Sequence, residues 1–150
     1  MPNKDKHVAI GVLVGSGIAA YRAREQEFSN LLLEAVGGMA GGYFGSRLPD
    51  IIEPASWPGH RQLAHSAFTG YSFGHVLYKA IEKWEGYFRS QSEIYNVKTQ
   101  EATHQLQKLF YTILEVCFRI LVGCLSGLGA GYISHLYSDG CTPSGLPLFQ

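Results

Sequence analysis

"GCLSGLGAGYISHLYSD", residues 123–139, carries glycine at every fourth position: Gly123, Gly127 and Gly131. The same step continues onto His135 and Asp139. Residues four apart share one face of an α-helix. The stretch therefore reads as a helix with one face that is bare backbone for two turns, then an imidazole, then a carboxylate. Glycine inside a helix costs about 1 kcal/mol relative to alanine, a cost tolerated where backbones must approach closely. Two earlier stretches repeat the device. One is His7, Gly11 and Gly15; the other is Gly37, Gly41 and Gly45, with Asp50 just beyond. The spacing predicts an all-α bundle whose helices press Gly-rich faces together, with a His or Asp at an end of each. Small-residue packing with its polar ends exposed would produce the same ladders.

Outward from this stretch, helical periodicity dominates. A first helix is expected over residues 4–27. A second spans 29–47, with Ser29 or Asn30 as N-cap, and ends before Pro49, which biases Leu48 away from helix. Residues 49–60, "PDIIEPASWPGH", hold three prolines and a glycine and read as a loop. A third helix covers 61–89, residues 90–98 read as a connection, and the last helix runs from about 99 to 138, with room for a break among its glycines. "DGCTPSGLPLFQ" closes the chain with turn residues, expected to fold over any site at that end. No strand alternation or domain linker interrupts the pattern. The expectation is one domain over residues 1–150, a bundle of four or five helices.

Lys plus Arg and Asp plus Glu both number 12, so the formal net charge is zero. There is no surplus of basic residues for a general grip on nucleic acid. Charged residues make up only 16 %, against roughly 25 % in soluble domains. With 18 glycines, this suggests close helix packing or a chain that lives near a membrane. The run 109–133 is long enough to span a bilayer. It also carries Glu115 and Arg119, four apart and able to pair on one face, which lipid tolerates only if they face protein. A spanning helix and a buried Gly-rich core helix both remain open. Cys117, Cys124 and Cys141 form no CxxC pattern, so reduced thiols in an intracellular chain are expected, with Cys141 buried.

The ligand-type residues are His7, Asp50, His60, His65, His135 and Asp139. Neutral imidazole and carboxylate suit zinc and related divalent ions, and a His/Asp pair at i, i+4 can chelate from one helix face. In "GHRQLAHS", residues 59–66, His60 is expected in the loop and His65 one turn into the helix. Asp50 is then a bridge or general base. Arg61 would grip a phosphoryl oxygen through its guanidinium fork, or pair with Asp50 or Glu53. His75 lies near the His65 face and His104 is expected in solvent. Each residue alone is ordinary; together they point to one or two ions, zinc first and manganese second.

"RLPDIIEP", "GHRQLAHS" and "GLGAGYISHLYSDGCTPSGLPLF" resemble, in order, the motifs of the YdjM-type family of membrane-bound metal-dependent hydrolases, some of them LexA-regulated. The chain departs from the family pattern at Ile52 and Glu53, where an acidic residue and a histidine often follow the LPD. The resemblance implies inner-membrane association. More distantly, it implies the phosphoester chemistry of the zinc-dependent phospholipase C and P1 nuclease group, with a lipid or nucleotide as substrate. Two other readings use the same residues. One is a small membrane-associated interaction or effector protein, with a structural metal or polar core network. The other is a self-assembling protein whose apolar helices pack against copies of themselves.

Overall fold

The computed structural model describes residues 4–52 and 67–141. They form four long helices and one short one: α1 (Lys4–Arg22), α2 (Phe28–Gly45), α3 (Leu48–Ile52), α4 (Ala67–Glu101) and α5 (Gln105–Gly140). The fold is an all-α bundle. α2 packs on α1 and on α5, α1 also packs on α5, and α4 packs on α5.

The glycine ladders are the seams of this bundle. A Cβ at Gly123, Gly127 or Gly131 would overlap backbone of α2, at Glu34, Gly38 and Gly42 respectively. Gly37, Gly41 and Gly45 meet α5 backbone in return, at Ile120, Cys124 and Leu128. Gly11 and Gly15 of α1 lie against Gly42 and Gly38. α2 therefore carries a second ladder, Gly38 and Gly42, one residue out of phase with the first. That second ladder lets α2 sit between two helices at backbone distance.

Several local expectations are corrected. α1 ends at Arg22, short of residue 27, and α2 starts after Glu27, whose backbone is extended with ψ 149°. Glu27 thus stands at the N-cap, where Ser29 or Asn30 was expected. Pro49 does not end helical structure. It sits in the first turn of α3, where proline's missing N–H leaves no bond unmade. Residues 90–98 belong to α4 rather than to a connection. They lack glycine and proline, and α5 holds them: Asn96 donates to Glu115 at 2.8 Å, and Tyr95 stacks on Phe118. The turn falls at 102–104, with an exposed His104 at the N-cap of α5. α5 runs through its glycines without a break, since packing on α2 replaces the propensity they lack. Cys141 is exposed, not buried.

Some charge lies inside and much large apolar surface outside, unlike a typical water-soluble domain. Glu34, Glu85 and Arg119 are buried, whereas Leu13, Val36 and Ile133 are each more than half exposed. The anticipated Glu115–Arg119 pair does not form. Arg119 instead reaches Glu34 at 3.4 Å and Gln26 at 3.2 Å. Arg89 of α4 donates twice to Glu34, at 2.6 and 3.2 Å. Arg22 of α1 donates twice to Glu85 of α4, at 2.7 and 2.9 Å, and Ser126 of α5 also donates to Glu85. Among the described residues α4 packs its backbone on α5 alone; these arginine–glutamate pairs tie it to α1 and α2. Polar groups inside and apolar groups outside suit an apolar solvent. α5 is long and apolar enough to cross a membrane.

Candidate metal centre

The four-residue step that builds the seams also delivers the site. His7 stands one turn before Gly11 on α1, and His135 one turn after Gly131 on α5. Because Gly11 and Gly131 both face the Gly42–Ser46 turn of α2, the two imidazoles meet at that end of the bundle. Their rings stack with centroids 4.4 Å apart. Asp139, one turn further along α5, lies between them. Its Oδ1 is 3.6 Å from His7 Nε2 and its Oδ2 is 3.5 Å from His135 Nε2. One donor atom from each of the three residues lies within 4.8 Å of the others, and all three residues are buried.

His135 Nδ1 is 2.6 Å from the carbonyl oxygen of Ser46. A carbonyl only accepts, so Nδ1 carries the proton and donates it. In the neutral ring Nε2, on the Asp139 side, then carries the lone pair and is the nitrogen that could ligate an ion. A hydrogen bond of this kind to the far nitrogen is how metal-binding histidines are oriented. Two ligands each about 2.1 Å from one ion stand about 3.4 Å apart at a tetrahedral angle. His7 Nε2 and His135 Nε2 approach different oxygens of Asp139, at 3.6 and 3.5 Å, each near that spacing, and the three residues could together hold a divalent ion.

Asp50 lies in α3, with Oδ1 3.8 Å from His135 Nε2, and its side chain is 42 % exposed. A pocket of about 200 Å³ opens beside it, lined by His7, Ser46, Arg47 and Asp50. The structure thus brings together His7, Asp50, His135 and Asp139. His60, Arg61 and His65 lie outside the described residues. His75 is exposed on α4. Two participants escaped the sequence reading. Ser46 is four residues past Gly42 and eight past Gly38, so the second ladder of α2 points straight to it. Arg47, which donates to the Tyr43 hydroxyl at 2.7 Å, had no such signal.

The whole chain, residues 1–150, matches a family model described as YdjM inner membrane protein. No curated protein and no solved structure matches it.

Proposed function

The chain belongs to the YdjM inner membrane protein family and is membrane-associated; from that premise we propose that it is a metal-dependent hydrolase acting on a phosphoester. The observation that carries this reading is the buried His7–His135–Asp139 cluster, with its donor atoms within 4.8 Å of one another. A divalent ion held there, zinc or manganese, supplies Lewis acidity and a water acidic enough to ionise near neutral pH.

The chain's own residues have distinct tasks. Ser46 fixes the tautomer and direction of the His135 ring. Asp139 spans both imidazoles. Asp50, half-exposed on the rim of the pocket, is the base that accepts a proton from the attacking water. His60 and His65 are the remaining proposed ligands, for one ion or a second, and Arg61 the proposed phosphoryl grip. A lipid or nucleotide phosphoester is the substrate class.

The depth of the three ligands favours a second reading, a structural ion or polar network that pins α1 to α5. Closed sites are typical of structural metals, and catalytic ones keep a position open. Elemental analysis of the detergent-purified chain, native and His135→Ala, tests both. The expected result is metal in the native chain and none in the variant. If the native chain binds no zinc or manganese after reconstitution, both metal readings fall. If chelator unfolds the chain while a phosphoester screen stays blank, the structural ion stands instead.

A further inference from the structure

We propose that the groove between α1, α4 and α5 holds one acyl chain of a membrane phospholipid, with the phosphate head at the Arg22 end. The inference rests on membrane association and not on the metal chemistry.

Among the described residues α1 and α4 do not pack backbone against backbone; each packs on α5. The gap between them is a groove of about 670 Å³ floored by α5. Its walls are Ile10, Val14, Ile18, Ile81 and Ile133, with little that water could bond to. From Ser126 to Tyr137 its floor covers about 16 Å of helix. Ile10, Val14, Ile18 and Ile133 are themselves exposed, so the mouth opens through the same apolar surface that faces lipid in a membrane-associated chain. Hydrocarbon is the phase available to fill it.

The polar groups of the groove are concentrated at one end. Ser134, toward the other end, spends its hydroxyl on the Gly131 carbonyl at 2.8 Å. At the polar end Ser126 and Arg22 both donate to Glu85. Glu85 is buried, while the Arg22 side chain keeps 22 % exposure, so the pair turns its cationic partner outward. Arg22 lies over the Tyr78 ring at 5.5 Å, and Arg24, two residues on, over the Tyr21 ring at 4.4 Å. Aromatic and cationic side chains at one end of an apolar helix are the groups favoured at headgroup level. Arg24 pairs with its neighbour Glu25 at 3.3 Å and Arg22 with Glu85, so recognition of a phosphate falls to the exposed edge of the Arg22 guanidinium, with the attached chain in the groove below.

Native mass spectrometry of the full chain in detergent, reloaded with phosphatidylglycerol, tests this. The native chain is expected to retain one lipid after washing. Ala130→Trp fills the groove from α5 and Val14→Trp fills it from α1; each is expected to lose that lipid. Leu121→Trp, on an exposed face away from the groove, is expected to keep it. Far-UV circular dichroism confirms that each variant is folded. A native chain that washes clean, or two folded groove variants that retain the lipid, overturns the proposal. Diacylglycerol retained as well as phosphatidylglycerol overturns the headgroup assignment at Arg22. Metal content of the same samples is a separate readout, so loss of the hydrolase reading and loss of this one are distinguishable.

Discussion

At the scale of single residues, His135 shows how position and chemistry coincide. Its ring is aimed by a backbone carbonyl, so no side-chain substitution at Ser46 removes the bond that orients it. Removing the ring itself is the informative change. His135→Ala is expected to abolish metal retention and leave the helices assembled, because Gly123, Gly127 and Gly131 still seat α5 on α2; elemental analysis with circular dichroism checks both halves. The glycines make a paired test of their own. A Cβ at Gly127 overlaps Gly38 backbone, whereas nothing lies within 4 Å of one at Gly17. Gly127→Ala is expected to destabilise by about 1–3 kcal/mol through overpacking, and Gly17→Ala to stabilise by about 0.5–1 kcal/mol. Thermal melting in detergent reads both. The meeting of His7, His135 and Asp139 was legible in the sequence because a four-residue step is a local property, whereas Asp50, five residues past Gly45, lies off that step. Glu34 was not, because Arg89 and Arg119, which neutralise it, lie 55 and 85 residues away.

Among the helices, α4 is the least conventionally attached. One side packs on α5 through aromatic contacts such as Phe88 with Phe118. The other side is held by charge: Arg22 to Glu85 and Arg89 to Glu34. Removing one member leaves a buried charge behind, which is strongly destabilising. Arg89→Ala is expected to cost about 1.5–3 kcal/mol as lost charge-assisted hydrogen bonds, since Arg119 still faces Glu34, and to loosen α4 before α1, α2 and α5, which hydrogen exchange resolves by helix. Replacing Arg89 and Glu34 together by apolar residues is not expected to recover that loss, because it strands the buried Arg119, which faces the same carboxylate. Helix number and type followed from periodicity. The ends did not, since Pro49 sits where a first turn tolerates it and α4 extends as far as α5 supports it.

As a whole molecule the chain is a bundle that buries Glu34, Glu85 and Arg119 while leaving many large apolar side chains exposed. Leu13, more than two-thirds exposed, is a position where the outer phase can be probed. Leu13→Arg is expected to cost about 2.5–3.5 kcal/mol of membrane insertion, read as loss from the alkaline-washed membrane fraction. α5, at 36 residues, is about 54 Å long, well beyond the roughly 30 Å hydrocarbon layer. Its first third meets the end of α4, where Tyr95, Tyr111 and Lys98 gather. The low charge content and the apolar run of residues 109–133 hinted at lipid. Which residues turn inward became visible only when three helices were brought together.

The ladder on α5 behaves like a splined shaft in a keyed socket. Rotation and axial position are locked together, because the teeth that seat the helix and the groups that ligate sit on one spline. A single residue inserted between Gly131 and His135 would turn the imidazole and carboxylate by about 100° without disturbing one glycine contact. The site is thus more sensitive to changes of length in α5 than the fold that carries it.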